Sequence, residues 1–148
     1  QTGTKQNQTF YAKWTPTVYK ITYNLNGGTN PEGTKQTYTI EDNDIQLLAP
    51  TRTGGTFAGW FTDSNFSQSI TTITKGSSED KTLYAKWNLT TYTIKLDTKG
   101  GSSLGDVSYT VDTDNMALST KARKEGYTFA GWYKDENCTQ KTYLDSFL

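Results

Sequence analysis

The chain has 148 residues, in which 15 basic side chains balance 15 acidic ones, with no histidine and one cysteine. Zero net charge gives no field to attract nucleic acid or an anionic membrane, and the lack of histidine removes the commonest general base and metal ligand. Cys138 cannot form a disulfide within the chain and lacks the partner that usually activates a thiol. Composition therefore predicts no enzyme, no nucleic-acid partner, no metal and no cofactor.

The chain contains an internal repeat. The tetrapeptide Tyr-Ala-Lys-Trp occurs at residues 11–14 and again at 84–87, and Thr-Phe-Ala-Gly-Trp occurs at 56–60 and at 128–132. The copies of the two motifs are 73 and 72 positions apart. Each unit is therefore a small domain of about 70 residues, large enough for a modest core of its own, rather than one turn of a short-period solenoid.

The repeat divides the chain into three parts. Residues 1–14 match the C-terminal strand of a preceding repeat, residues 15–88 form a complete repeat, and residues 89–148 form a second repeat that lacks its final strand. We therefore expect the sequence to be an excerpt, which starts at Gln1 without an initiator methionine or signal peptide. No apolar stretch is long enough to cross a bilayer, so we predict no membrane insertion.

Alternation of residue types predicts the first strand of each repeat. The odd-numbered residues from Tyr19 to Leu25 are apolar or aromatic and alternate with polar residues, which indicates a half-buried strand. Asn-Gly-Gly at 26–28 ends this strand, because glycine readily takes the positive φ angles of tight turns. The pattern returns at 92–101, where Lys-Gly-Gly ends the strand.

The next segments predict a second strand and, in one repeat, a short helix. The second strand is expected around 37–40, with a counterpart at 108–111, and a run of acidic and amide residues follows each. In the second repeat, residues 114–118 have the pattern of a short capped helix. In the first repeat, Pro50 stops a helix at this point.

The central strand is predicted over residues 56–62. Phe57, Gly59 and Phe61 share one face, so Gly59 should leave a gap in which an aromatic ring from a neighbouring strand can lie. Trp60 then points to the opposite face.

The closing strand is predicted over 81–87, with Leu83, Ala85 and Trp87 on one side. Short links follow the two Tyr-Ala-Lys-Trp segments, at 15–17 and 88–91, so neighbouring repeats should have restricted freedom. The alternation in these strands predicts a buried core made of Ile21, Tyr23, Phe57, Trp60, Leu83, Trp87, Phe129 and Trp132.

The ordered motifs are similar to those of a known family. A strand that ends in Asn-Gly-Gly, a Thr-Phe-Ala-Gly-Trp strand and a closing Leu-Tyr-Ala-Lys-Trp strand together resemble the Listeria-Bacteroides repeat, the B repeat of internalin-type bacterial surface proteins. The resemblance covers the whole chain. It implies an α+β, mainly β fold of two tandem β-grasp (ubiquitin-like) units in a secreted or wall-attached protein. The residues alone do not distinguish this fold from a small barrel.

The repeated tryptophans have two interpretations. Trp14, Trp60, Trp87 and Trp132 could form a platform for carbohydrate, because flat rings stack on sugars with little loss of entropy. Core packing would also repeat them at fixed strand positions, and we favour it because large aromatics dominate core energetics.

The acidic residues also have a functional and a structural interpretation. Asp42, Asp44, Asp112 and Asp114 offer hard oxygen ligands for calcium, but they lack the spaced glycine and distal glutamate of a calcium loop. We expect solvated turns or caps instead. Asp63 and Asp135 recur beside the Gly-Trp strand, and no partner at a recognisable spacing supports acid–base catalysis.

Lys13 and Lys86 lie between aromatic residues on a strand, which raises the possibility of a lysine–asparagine isopeptide crosslink. Lysines that protect a strand edge explain them more simply.

The linked repeats predict a stalk or spacer with weak multivalent adhesion, and the resemblance implies that it lies on a bacterial surface. The alternative is an adhesin module that binds host glycan or protein through exposed aromatics. The expected partners are neighbouring repeats, and also second copies of the chain in a head-to-tail strand exchange. In that exchange the strand of residues 9–14 completes the second repeat of another chain through Phe10, Ala12 and Trp14. The link at 15–17 is expected to be too short for the same insertion within one chain.

Overall fold

The computed structural model describes residues 6–114 and 121–142. Nine strands lie in these residues: β1 (Tyr19–Asn24), β2 (Thr37–Tyr38), β3 (Ile45–Gln46), β4 (Gly55–Phe61), β5 (Ser69–Ile70), β6 (Thr72–Ile73), β7 (Lys81–Leu89), β8 (Tyr92–Ile94) and β9 (Val107–Tyr109). The fold is mainly β. The helical part of the predicted α+β class has no counterpart among the described residues.

Five strands form one mixed sheet, in the order β2-β1-β7-β4-β5. β1 is antiparallel to β2, where Tyr19 lies opposite Tyr38. β1 is parallel to β7, where Tyr23 lies opposite Leu83. The first and the closing strand of the first repeat are therefore neighbours, and β7 occupies the position between β1 and β4.

The most buried side chains lie on or beside this sheet: Ile21, Tyr38, Trp60, Ile73, Leu83 and Ala85. The other residues of the expected core are half-buried: Tyr23, Phe57, Trp87, Phe129 and Trp132. The Tyr23 hydroxyl donates a 2.9 Å hydrogen bond to the carbonyl oxygen of Lys35, which keeps the tip of this side chain near the surface. Burial of the ring raises the pKa of Tyr23.

β7 is longer than its sequence pattern indicates. It continues past Trp87 to Leu89 and so includes two of the four residues expected to form a link. The N–H of Thr90 then donates a 2.9 Å hydrogen bond to the carbonyl oxygen of Gly54. The link between β7 and β8 is therefore only two residues long.

From the sequence, a gap for an aromatic ring explains Gly59, but the backbone conformation gives a different reason. Its φ is +137°, and Gly131 in the second repeat has φ +136°. Residues with a side chain rarely adopt this conformation, so the backbone itself requires glycine. A Cβ at Gly59 would lie 3.5 Å from the ring of Phe61, which belongs to the same strand. The space beside Gly59 thus does not receive a ring from a neighbouring strand.

A second, smaller sheet consists of β3 and β6, which pair antiparallel with Ile45 opposite Ile73. The sequence did not predict this ribbon, because two-residue strands are too short to show a period of two. Ile45 begins a strand and no helix, in agreement with the expectation from Pro50.

The second repeat contains the antiparallel pair β8 and β9, with Ile94 opposite Val107. Isolated bridges join Lys124 to Tyr127 and Tyr133 to Lys141. The helix expected at 114–118 lies outside the described residues, apart from Asp114.

Distances between Cα atoms separate the chain into two compact units. The first comprises Gln1–Asn26, Asn30–Ala49 and Gly59–Lys86, and the second comprises Gly27–Thr29, Pro50–Ala58 and Trp87–Leu148. The domain bounds inferred from the repeat, 15–88 and 89–148, stay a prediction. Among the described residues, no helix has the length and apolar character needed to cross a membrane.

Candidate functional site

Trp60 is held in the first repeat by a hydrogen bond and a ring contact. Its Nε1 donates a 2.9 Å hydrogen bond to the carbonyl oxygen of Leu48, and its ring centroid lies 5.1 Å from that of Tyr23. The side chain is only 2% exposed. Trp60 therefore presents no free face to a ligand.

Trp87 connects two of the repeated motifs. Its ring packs edge-on against Phe57, with centroids 5.7 Å apart, and a Cβ built at Gly28 would overlap the indole. Asn26 and Gly27 have positive φ values of 46° and 84°. In the Asn-Gly-Gly motif the first two residues therefore make the turn, and the third leaves room for the tryptophan of Tyr-Ala-Lys-Trp.

The second repeat has a cleft where the first repeat has its closing strand. The cleft has a volume of about 860 Å³ and is lined mainly by residues 94–99 and 127–136. By the repeat spacing, these segments are the counterparts of β1 and β4, between which β7 lies in the first repeat. Among the described residues, no strand of the second repeat lies between the two segments, and no residue of β7 lines the cleft.

The cleft wall contains Phe129 and Trp132, which pack edge-on with centroids 5.3 Å apart. Buried polar atoms of Trp132 (Nε1) and Thr142 (Oγ1) have no hydrogen-bond partner within the described residues. The counterpart of Trp60's acceptor, Leu48, is residue 120, which lies outside them. The cleft is therefore lined by aromatic and apolar side chains together with charged ones, among them Lys99, Lys124 and Glu136.

Asp63 and Asp135 hold the same turn in the two repeats. The carboxylate of Asp63 accepts hydrogen bonds from the backbone N–H groups four and five residues later, at 3.0 and 2.9 Å. Asp135 accepts the equivalent bonds at 3.0 and 2.6 Å. Burial raises the pKa of Asp63, but these bonds outweigh it and lower the pKa overall; the pKa of Asp135 is lowered chiefly by the N–H of Thr139. Both carboxylates therefore stabilise a turn of the backbone.

Asp42 is used within its own turn. It accepts a 2.8 Å hydrogen bond from the Lys35 amine and a 2.7 Å hydrogen bond from the N–H of Thr39. The bond from Lys35, followed by those from Thr39, lowers the pKa of Asp42 to about 2. The carboxylate is therefore ionised at any physiological pH, and its oxygens already have donors.

The remaining acidic residues of the calcium hypothesis are not brought together. Asp44 accepts a 2.8 Å hydrogen bond from the N–H of Lys75, and Asp112 pairs with Arg52. Asp114 is exposed. Within residues 6–114 and 121–142, no three acidic, histidine or cysteine side chains form a group that could hold a metal ion.

Lys86 lies over two aromatic rings, with its Nζ 5.4 Å from the centroid of Phe61 and 5.6 Å from that of Phe66. Both Lys86 and Lys13 are exposed. An isopeptide bond needs a buried lysine next to an acidic side chain that shifts the protonation equilibrium of the amine. Lys86 is exposed and lies over two rings, so its position favours a cation–π contact instead.

The N-terminal segment is conspicuously exposed. Residues 6–18 form no strand, and the exposed fractions of Phe10, Tyr11 and Trp14 are 86%, 90% and 87%. These three side chains form the most exposed aromatic group of the described residues. The sequence predicted a strand at residues 9–14, whereas in the structure this segment does not pair with any strand.

Three residues of the buried hydrophobic core were absent from the predicted core: Tyr38, Ile73 and Ala85. The hydroxyl of Tyr38 donates to the carbonyl oxygen of Glu79, 41 residues away. No local pattern indicates such a contact. Ala85 did lie on the inward face of the predicted closing strand, but its small side chain gave a weak signal.

The sequence pattern of the Listeria-Bacteroides repeat domain matches residues 19–86 and 92–146. Two proteins of Evansella cellulosilytica, named "Putative membrane protein" and "Putative Gly-rich membrane protein", are 32% and 31% identical over 91% and 89% of this chain. Internalin H of Listeria monocytogenes is 32% identical over 69% of it. The chain spans only 20%, 15% and 19% of these relatives, respectively. No solved structure matches the chain.

Proposed function

The chain belongs to the Listeria-Bacteroides repeat family, and from this premise we propose that it is a non-catalytic stalk or spacer in a bacterial surface protein. The similarity to Internalin H and to two proteins named as membrane proteins supports a location outside the cell, secreted or attached to the surface. A stalk needs stable, linked repeats and no convergent polar site. The paired motifs of this chain fit that requirement.

The observation that carries this proposal is the parallel pairing of β1 with β7. β1 lies near the start of the first repeat and β7 closes it. A force that pulls on the two ends of the repeat acts along these parallel strands in opposite directions, so it loads their hydrogen bonds together in shear. Such a repeat resists extension better than one whose strands can be peeled apart one bond at a time.

The same sheet supports a β-grasp unit. The five strands of this sheet, counted in chain order, have the order second, first, fifth, third, fourth, and the first and fifth are parallel in the middle. A mixed sheet with this central parallel pair is the arrangement of β-grasp folds. We propose that the second repeat has the same arrangement when its closing strand is present.

Single-molecule force measurement tests the stalk. Handles attached at Tyr19 and Leu89 pull β1 and β7 in shear, whereas handles at Tyr19 and Lys81 peel the same strands apart. We expect the first geometry to require a clearly higher unfolding force than the second. Equal forces in the two geometries would contradict a load-bearing role for this pair.

A second candidate role is weak adhesion through the exposed aromatics at residues 10–14. Three large rings at 86–90% exposure could stack on sugars or on a host protein, and many repeats would raise the avidity of weak sites. A glycan array with the wild type and Trp14→Ala tests this role. If the wild type binds glycans and Trp14→Ala does not, the adhesin role is favoured. If the wild type binds no glycan, only the stalk role is supported.

A further inference from the structure

Residues 50–58 belong to the first repeat by sequence, but in the fold they lie in the same compact unit as the second repeat. The N–H of Thr90 donates a 2.9 Å hydrogen bond to the carbonyl oxygen of Gly54. A Cβ at Gly55 would lie 3.4 Å from the side chain of Leu89. Backbone and side-chain contacts therefore join the segment before β4 to the second unit.

Two residues of this segment, Arg52 and Gly54, form a surface that we term the socket. The guanidinium of Arg52 packs on the turn glycine Gly27, where a Cβ would lie 3.0 Å from Nε. The Arg52 side chain is only 11% exposed. Gly54 has a φ of +69° and no side chain, so the socket combines a fixed cation with an open apolar position.

A turn of the second repeat, residues 110–113, lies on the socket, and we term it the corner. The N–H of Thr113 donates a 3.0 Å hydrogen bond to the carbonyl oxygen of Thr110, and the N–H of Thr110 donates a 2.8 Å hydrogen bond to Oγ1 of Thr113. These bonds close the turn. They fix Val111 and Asp112 at its two middle positions.

Both middle residues of the corner contact the socket. Asp112 pairs with Arg52, and a Cβ at Gly54 would overlap Cγ1 of Val111. The Asp112 side chain is 51% exposed, so the ion pair alone contributes little. Arg52 is mostly buried, however, and its charge needs an acceptor. The contact therefore requires an apolar residue and an acid next to each other on one turn.

The socket has a counterpart within the second repeat. Lys124 and Gly126 hold the positions of the two socket residues by the repeat spacing. Gly126 also has a positive φ, +76°. The Lys124 amine would lie 3.6 Å from a Cβ at Gly100, which is the counterpart of the turn glycine. A cation beside a turn glycine, two residues before a left-handed glycine, thus occurs in both repeats.

The corner likewise has a counterpart in the first repeat, at residues 39–42. The N–H of Asp42 donates a 3.2 Å hydrogen bond to the carbonyl oxygen of Thr39, and the N–H of Thr39 donates a 2.7 Å hydrogen bond to the Asp42 carboxylate. The middle positions of this turn carry Ile40 and Glu41, again an apolar residue followed by an acid. Both surfaces are therefore features of the repeat.

We propose that the socket of one repeat is a binding surface for the corner of the repeat that follows it, and that it selects an apolar residue followed by an acid. In this chain the socket stabilises the β8–β9 pair of the second repeat, because the corner directly follows β9. One repeat thereby supports the fold of the next. The contact is separate from the β1–β7 pair on which the stalk role rests, so each can fail without the other.

Hydrogen exchange of the whole chain, followed by NMR, tests the ion pair. Arg52→Glu should speed exchange of the β8 and β9 amides about two- to fivefold, the range for a partly exposed ion pair. Asp112→Arg should have a similar effect. The double variant should exchange more slowly than either single variant, because opposite charges face each other again.

Two controls separate this effect from a general loss of stability. The amides of β3 and β6, which belong to the other compact unit, should exchange like the wild type in all of these variants. Lys95→Glu reverses an exposed charge next to β8 and should leave exchange in β8 and β9 unchanged.

Gly54→Ala and Gly126→Ala test the apolar half of the contact with matched backbones. Both glycines have positive φ values, so both substitutions introduce similar strain. Among the described residues, no atom lies within 4 Å of a Cβ at Gly126, whereas a Cβ at Gly54 overlaps Val111. Gly54→Ala should therefore speed exchange in β8 and β9 more than Gly126→Ala does.

Val111→Ala should reverse the excess effect of Gly54→Ala, because it removes the overlapping methyl group and leaves Cβ of residue 111 at 3.4 Å. Wild-type exchange in Arg52→Glu would overturn the proposal. So would a double charge variant that exchanges as fast as the single variants, or equal effects of the two glycine substitutions.

Discussion

The indole of Trp87 lies directly against the backbone of Gly28, and a Cβ at Gly28 would approach the ring closer than 3.0 Å. The two residues belong to different motifs and are 59 positions apart in the chain. Because of this contact, the third residue of Asn-Gly-Gly must be small wherever the last residue of Tyr-Ala-Lys-Trp packs against it.

The first prediction follows from this contact. Gly28→Ala should destabilise the first repeat by about 1–3 kcal/mol, because the extra methyl group displaces a packed ring. Urea denaturation followed by circular dichroism measures the change. Gly105→Ala is the control, since nothing lies within 4 Å of a Cβ at that position. If Trp87→Leu does not reduce the cost of Gly28→Ala in a double-mutant cycle, the clash is not the cause.

The second prediction uses the two copies of one tetrapeptide. Ala85 is completely buried in β7, so Ala85→Leu should overpack the core and cost about 1–3 kcal/mol. Ala12 is exposed, so the same substitution there should change the stability of the monomer by less than about 0.5 kcal/mol. Denaturation midpoints at low micromolar protein measure both. Equal effects at the two sites would show that the two tetrapeptides have equivalent environments.

The third prediction concerns Trp60. Trp60→Ala should cost about 3–5 kcal/mol because a large buried side chain leaves a cavity. Trp60→Phe retains much of the packing but leaves the carbonyl of Leu48 without its donor, which should cost about 1–3 kcal/mol. Trp14→Ala is the matched exposed control. A Trp60→Ala variant that melts with the wild type would remove Trp60 from the core.

The fourth prediction is a pH dependence at Asp42. Its folded-state pKa of about 2 lies below the ordinary value of about 3.9 for an unfolded aspartate. The associated stability is therefore complete above about pH 4 and is lost as the pH falls from about 4 towards 2. Asp42→Asn should lose less stability over this window than the wild type does.

Urea midpoints at pH 6, 4 and 2.5 measure this difference. Glu41→Gln, which removes the neighbouring exposed carboxylate, should retain the acid response of the wild type. An Asp42→Asn variant with the wild-type pH profile would contradict the assignment of this depressed pKa to Asp42.

The fifth prediction is that calcium does not stabilise the chain. Asp42 and Asp44 already accept hydrogen bonds, and Asp112 pairs with Arg52. A ligand that bound only the folded state would raise the melting temperature, so melts in calcium and in chelator should superimpose. A drop of several degrees in chelator would restore the calcium hypothesis.

Local patterns in the sequence were enough for much of the fold. The alternation from Tyr19 to Leu25 and the pattern of residues 81–87 indicated β1 and β7, because side chains of a strand alternate between two faces whatever it pairs with. The recurrence of three motifs at a spacing of 72 or 73 residues indicated tandem repeats. These signals depend only on neighbouring residues, and the order of motifs was sufficient to indicate the family.

The tertiary structure alone decided which strands pair and what the motif glycines do. The parallel pairing of β1 with β7 joins residues about 60 positions apart, and no local period records such a partner. Gly28 is required by an indole from β7, and Gly59 by its φ of +137°. The cleft of the second repeat likewise exists only once its walls are folded, because a strand's place in a sheet is set by hydrogen bonds and packing with distant residues.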